Sequence, residues 1–399
     1  MGYRRLMWLL AGLSMFGPFA IDTMFPAFPQ IGAELGANKV MLQQTISAYL
    51  LSYALMSLIH GPLSDALGRR PVMMAGVVLF ILASIGCALS TSLPMLLAFR
   101  ALQGVSAGVG MIVGRAVIRD LHAGADAQRL MSQVSMIFGI APAIAPIIGG
   151  WLLGWGDWRI IFWFLAAFAA VLALAVLLVL PESHAPEYRS PLRIWPLLHA
   201  YRDIASDAIF QRLSLVASLN FAGFFIYISS APEFVLHHLQ LTQNDFGWFF
   251  APSISGMVVG AYASSKLAYR MEGRQQVNLG FALSMIAVAL NLIYNFSVDQ
   301  IALPWAVVPM FLFACSTALM FPVLSLIILD RFPLHRGAAS SLQAFVSTAG
   351  NAIIAGIVSP LVSHTPRGLA LTMAILSVAA LVVWGWHSSR PLSDLTDTP

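Results

Sequence analysis

Two charged side chains stand where charge is expensive. Asp22 lies in Ala20-Ile21-Asp22-Thr23 and Arg100 in Arg100-Ala101-Leu102-Gln103-Gly104, each inside a long apolar run. An ionisable residue in such a run marks a proton or ion pathway by default. Asp22 falls about 6 residues, roughly 9 Å, from the end of its run, and Arg100 about 5 residues, roughly 8 Å, at 1.5 Å per residue. If the chain enters from the opposite face, both depths are measured from one surface, and the two charges can pair wherever their helices adjoin. An acid that is ionised beside a cation or water and takes up a proton as its site dries is a coupling group. Protonation would cancel its charge, release Arg100 to another acceptor such as Gln103, and tip an equilibrium between two conformations. The plainer reading of the same pair is an ion pair that clamps two helices without titrating.

Other reactive residues form no constellation. Cys87 and Cys315 both sit in apolar runs and read as buried free thiols. Glu233, in Ala231-Pro232-Glu233, lies near the end of an apolar run, where an acid either binds a cation or snorkels outward. His60 and the His237-His238 pair also lie at run ends, without further ligands at metal-binding spacing. A nucleophile–base pair and a P-loop are both missing from the sequence, so neither an enzyme nor an ATP-driven machine is expected.

These residues must be positioned by membrane helices. Of 399 residues, 59% are hydrophobic and 10% charged, with mean hydropathy +0.82, against about 25% charged in soluble proteins. Apolar runs long enough to cross a bilayer fall near 6–28, 43–64, 72–91, 95–118, 129–153 and 158–180, then near 212–236, 246–268, 276–296, 303–329, 339–362 and 366–387. That is an all-α polytopic membrane protein of twelve spans. With the N-terminus inside, the outer loops hold only Lys39, Arg159 and Arg367, while Arg69, Arg70, Arg119, Arg129, Arg189, Arg193, Lys266, Arg274, Arg331 and Arg336 fall inside. This positive-inside bias accounts for the basic composition without a nucleic-acid partner.

Residues 181–211, with Pro181, Glu182, Glu187, Arg202, Asp203 and Asp207, form a polar cytoplasmic linker between two six-span halves, 1–180 and 212–399. Trp195, Leu198 and Ala205 have helical spacing, so the linker is either an amphipathic surface helix or a solvated strap. The halves echo each other. Leu93-Pro94 and Asp120 match Leu303-Pro304 and Asp330 at one offset, and Gly68-Arg69 finds Gly273-Arg274. Parallel six-span repeats are one arrangement of secondary transporters, with the substrate site between the halves. At the same offset Met310 stands opposite Arg100, which confines proton chemistry to the first half.

The loop between the second and third spans reads Gly61-Pro62-Leu63-Ser64-Asp65-Ala66-Leu67-Gly68-Arg69-Arg70-Pro71. It resembles the G-x-L-a-D-r-x-G-r-R signature of the major facilitator superfamily. Gly61 and Gly68 let helix ends approach and turn, while Asp65 can pair with a cation or cap a helix. The second-half copy carries Arg270 where Asp65 would fall, which implies a weaker latch there. Arg100 to Gly104, followed by Gly108, Gly110 and Gly114, is similar to the superfamily's signature on the fourth span; its small-xxx-small pairs allow close helix packing. The fifth span, with Pro142, Pro146, Gly149 and Gly150, is similar to the signature of drug:proton antiporters, where proline and glycine bend a sliding helix. The Pro-rich exit Asp22-Thr23-Met24-Phe25-Pro26 looks closest to the bicyclomycin-resistance (Bcr/CflA) group, although Ser14 stands where many drug exporters carry a further acid.

The resemblance implies the major facilitator fold and a proton-coupled exporter of small amphipathic compounds such as drugs, working by alternating access. The alternative is an exporter or facilitator of a metabolite. It further implies a monomer in a bacterial inner membrane with both termini cytoplasmic, powered by the proton gradient without cofactor or metal. Its partners would be protons, a small-molecule substrate and the lipid bilayer. The stripes Phe19–Asp22, Tyr49–Tyr53 and Asn220–Phe224–Tyr227, with Gln103, suit a cavity for a weakly polar amphiphile. Each stripe is equally compatible with packing.

Overall fold

A computed structural model of the chain describes residues 3–122, 124–189, 193–268, 270–333 and 335–389. A backbone in lipid must satisfy its polar groups internally, which leaves helices as the means of crossing in this sequence. In the first half these are α1 (Tyr3–Leu35), α2 (Lys39–Leu67), α3 (Arg69–Ala88), α4 (Leu93–Leu121), α5 (Gly124–Leu153) and α6 (Arg159–Val179). The second half has α7 (Ala208–Ser229), α8 (Gly247–Leu267), α9 (Gly273–Ser297), α10 (Val308–Arg331), α11 (Arg336–Val362) and α12 (Pro366–Ser388). Among the described residues eleven helices are long and apolar enough to cross a membrane. The other, α8, has the length but is diluted by Pro252 and several Gly and Ser residues.

Packing divides the chain into two units, one of Met1–Arg193 with Gln243–Gly247, the other of Ile194–Thr242 with Trp248–Pro399. The linker does form a helix, Ile194–Ser206, within the second unit. Its Ile204 is buried, whereas Trp195 and Leu198 point outward.

Helix α1 is the most broken element of the first unit. Its pieces Tyr3–Ser14 and Phe16–Asp22 give way to a 3₁₀ turn over Phe25–Ala27 and a last helix, Phe28–Leu35. Pro18, Pro26 and Pro29 lack the amide donors a continuous helix needs, and the broken span runs to Leu35, further than the 6–28 expected. Its C-terminal end is tied down by Glu34, which accepts from Trp158 Nε1 at 2.7 Å and pairs with Arg159 at 2.6 Å. Arg159 also donates to the Ser90 carbonyl at 3.2 Å, joining the ends of α1, α3 and α6.

Helix α4 is pressed against two neighbours through its glycines. A Cβ at Gly104 would lie 2.1 Å from the Tyr49 carbonyl oxygen of α2, and one at Gly110 2.0 Å from the Leu13 carbonyl oxygen of α1. The second unit repeats the device with the partners exchanged. There the glycines of α8, Gly256 and Gly260, lie against the Phe311 and Cys315 carbonyls of α10.

Candidate functional site

Close contact of α4 with α1 and α2 carries Arg100 into the centre of the first unit, where it is fully buried. Its Nη1 donates to the Ala20 carbonyl at 2.7 Å and to Gln103 Oε1 at 2.8 Å, and its Nε to the Thr45 carbonyl at 3.3 Å. The guanidinium lies 4.7 Å from the centre of the Tyr49 ring, a cation–π contact. Gln103 passes the chain on by donating to Ser84 Oγ at 2.8 Å, and Ser84 donates to the Phe80 carbonyl at 2.7 Å. One side chain thus ties α4 to α1 and α2 directly and, through Gln103, to α3. Arg100 Nη2 and the Tyr49 hydroxyl are buried without a hydrogen-bond partner.

Asp22 closes the short helix Phe16–Asp22 and is also buried. Among the described residues its carboxylate has neither a hydrogen bond nor an ion pair. The expected adjacency of the two spans is present, since Arg100 bonds the Ala20 carbonyl, yet the expected Asp22–Arg100 pair is not formed in this conformation. The reason is local. The helix stops at Asp22, and the last carbonyls of a helix lack intrahelical partners; Ala20 offers one of these to the guanidinium. An unused guanidinium nitrogen and an unused carboxylate are left in adjoining helices.

The cavity candidates are dispersed. Phe19 is buried against Phe168 and Phe164 of α6, with ring centres 5.3 and 6.2 Å away. Tyr53 is half-buried and faces the Gly108 backbone beside His60. Asn220 donates to Thr317 Oγ1 at 3.0 Å, and the Tyr227 hydroxyl accepts from Asn291 Nδ2 at 2.8 Å. Phe224 is buried on the same helix. The polar bonds of Asn220 and Tyr227 therefore run to α10 and α9 of their own unit.

The loop between α2 and α3 is a compact ion-pair network. Arg69 bonds Ser64 Oγ at 2.7 Å, pairs with Asp65, and reaches Asp120 Oδ2 at 3.0 Å at the end of α4. Glu182 accepts from the backbone amides of Arg69 and Arg70 at 3.0 and 3.3 Å, capping α3. Arg70 reaches the Leu177 carbonyl of α6 at 2.6 Å. Gly68 has φ +100°, and a Cβ there would strike Glu182 Oε2 at 2.5 Å. Gly61, by contrast, faces open space. Helix α5 runs unbroken through Pro142 and Pro146; its Gly149 abuts the Thr23 carbonyl and its Gly150 the Gln243 carbonyl.

The sequence profile of the Major Facilitator Superfamily matches residues 7–355, and again residues 213–398. The chain belongs to the major facilitator superfamily. It is accordingly a multi-pass membrane transporter and not an enzyme. Among its relatives, the bicyclomycin resistance protein homolog of Haemophilus influenzae is 25% identical over 380 residues, covering 95% of both chains. The multidrug resistance protein D of Escherichia coli is 26% identical over 386 residues, again 95% of each. A bacterial homologue of the human lysosomal transporter Spinster, solved inward-facing and occupied, superposes with a TM-score of 0.77. It is 17% identical and covers 98% of this chain and 97% of its own.

Against the superfamily's repeat, the second unit departs in detail. Asp330, the counterpart of Asp120, pairs with the exposed Arg336 and, among the described residues, not with the α8–α9 loop. That loop is closed by a capping box between Glu272 and Gln275, and Arg270 is exposed. The best-tied acid at this end is Asp207, which caps α7 through the amides of Ile209 and Phe210 and pairs with Arg331 at 3.1 Å. Glu233 lies 3.8 Å from His237, one turn on, with its side chain mostly buried.

Sequence reasoning missed two residues. Glu182 reads as a linker charge, and only the fold brings it to α3. Arg115 falls within the expected 95–118 span but draws no role from the sequence; it sits inside α4, lining a narrow groove with Leu10 of α1 and Met131, Val134 and Ser135 of α5. Its distance from the helix end was the available signal.

Proposed function

We propose that this transporter is a proton-coupled exporter of small amphipathic compounds such as drugs, and that Asp22 is its coupling acid. The observation that carries the reading is the pairing of deficits in one helix contact: a buried carboxylate without a partner on α1 and a guanidinium nitrogen without an acceptor on α4. An ionised carboxylate so placed costs several kcal/mol, and a proton removes that cost. In the state described, Asp22 carries the proton and Arg100 is held by Ala20, Thr45 and Gln103. When the α1–α4 contact opens to water, the proton leaves, and the carboxylate recruits the unused face of Arg100. Each state of Asp22 favours one conformation, so proton movement is linked to the conformational cycle.

The bicyclomycin and multidrug resistance names of the relatives support drug-like substrates. The bias of Lys and Arg to one set of loops supports an inner membrane with both termini in the cytoplasm. The proton gradient serves as the energy source without a cofactor or metal, and the monomer is the working unit with no nucleic-acid partner.

The test is proton flux in proteoliposomes under an imposed pH gradient, with a panel of candidate compounds, comparing the natural chain with Asp22→Asn. Substrate-triggered flux that vanishes in Asp22→Asn is the expected result. Flux that persists makes Asp22 structural and moves the search to Glu233; substrate transport without proton flux leaves a facilitator.

A further inference from the structure

Away from the Arg100 contact, the start of α1 and the start of α5 border a half-open cavity of about 470 Å³, lined by Tyr3, Arg4, Met7, Trp8, Asp126, Arg129 and Gln133. Its back wall is built. The Tyr3 hydroxyl donates to Gln133 Oε1 at 2.9 Å, bridging α1 to α5, and the Tyr3 ring meets His122 edge-on at 5.9 Å. Its rim is charged with both signs. Among the described residues, Arg4, Arg129 and Asp126 make no hydrogen bond or ion pair through their side chains, and all three are exposed. Trp8, one turn into α1, is 63% exposed at the same place.

We propose that this cavity is a binding site for the headgroup of a membrane aminophospholipid, with its phosphate between Arg4 and Arg129 and its primary ammonium on Asp126.

Each part of the lining answers one part of such a headgroup. Two guanidiniums lining one cavity from separate helices match a phosphodiester, whose oxygens accept paired N–H donors. Basic pockets between membrane helices on the cytoplasmic side are a recurring form of lipid-headgroup site, and this is the side to which the Lys/Arg bias assigns Arg4 and Arg129. The exposed indole of Trp8 belongs at headgroup level, where aromatic rings favour the boundary of water and acyl chain. Asp126 selects among lipids. A purely anionic headgroup sets its charge against that carboxylate, whereas a primary ammonium pairs with it and donates hydrogen bonds. The volume lies within the range of about 300–1,000 Å³ common to small-ligand pockets.

The test is native mass spectrometry of the full chain, purified in detergent and titrated with phosphatidylethanolamine, phosphatidylcholine or phosphatidylglycerol of matched acyl chains. Phosphatidylethanolamine should bind at least fivefold tighter than the other two. The Arg4→Gln/Arg129→Gln double variant should lose at least tenfold of that affinity, while Arg5→Gln, a neighbouring exposed charge that does not line the cavity, keeps it. Asp126→Asn should still bind phosphatidylethanolamine but no longer prefer it over phosphatidylglycerol. Soluble glycerophosphoethanolamine should compete at least a hundredfold more weakly than the lipid. Equal binding of all three lipids, or an unchanged affinity in the double variant, would mean annular lipid only and overturn the assignment. Equal competition by the soluble headgroup would overturn the lipid as the source.

Discussion

Replacing Gly68 by alanine tests how the loop between α2 and α3 is held. Gly68 has φ +100° and ψ 153°, a region essentially reserved for glycine, and a residue with a Cβ forced there costs about 1–3 kcal/mol. The added methyl would also lie 2.5 Å from Glu182 Oε2 and 2.7 Å from Arg189 Nη2. Both are ends of flexible side chains, so the collision is relieved by moving Glu182. That movement costs the cap on the Arg69 and Arg70 amides, worth about 0.5–2 kcal/mol. The sum is about 1.5–5 kcal/mol of lost stability, measured as unfolding free energy by SDS titration in mixed micelles with tryptophan fluorescence as readout. Gly61→Ala is the matched control: the site is inside α2, faces open space, and gains up to about 1 kcal/mol from helix propensity. On a Glu182→Ala background, Gly68→Ala should cost only the backbone part, about 1–3 kcal/mol. Equal effects of Gly68→Ala and Gly61→Ala would refute the backbone argument. An undiminished cost on the Glu182→Ala background would refute the assignment of the cap.

Two further expectations follow from the site. Arg100→Lys keeps the charge but not the fork that reaches Ala20, Thr45 and Gln103 together; losing one charged hydrogen bond should cost about 1.5–3 kcal/mol in the same titration and abolish transport in proteoliposomes. Gly104→Ala drives a methyl against the Tyr49 carbonyl and should destabilise by about 1–3 kcal/mol, whereas Gly114→Ala, whose nearest neighbour would be Leu10 at 3.5 Å, should be neutral.

The spans and the two halves are legible in the sequence because length, apolarity and Lys/Arg placement are properties of the chain itself. So is the crowding of α4, since glycines at helical spacing announce a near neighbour. What escapes is whatever depends on where a helix ends. The depths of Asp22 and Arg100 follow from counting, but the Ala20 carbonyl that engages the guanidinium becomes available only because the helix stops at Asp22. The α2–α3 latch is half legible in the same sense. Gly68, Arg69 and Asp65 are neighbours in sequence, while the carboxylate that completes the latch comes from Glu182, 113 residues beyond Arg69. The stripes through Phe19 and Tyr227 show the limit of periodicity, which marks a shared face without saying what that face meets.

The fastening of Glu182 has a bearing on where this chain tolerates being severed. Residues just after α6 look like the start of a free strap, but Glu182 holds the amides of α3, Ser183 donates to Asp120 at 3.0 Å, and Arg189 lies 3.7 Å from Glu182. On the other side, Asp207 begins α7 and pairs with Arg331. A split-gene version divided at residue 181 would give a leading fragment whose third helix has lost its carboxylate cap. Divided after Arg189, the leading fragment would keep the Glu182 cap and the trailing one the Asp207–Arg331 pair, so the halves are better expressed as separate messages from there than from residue 181.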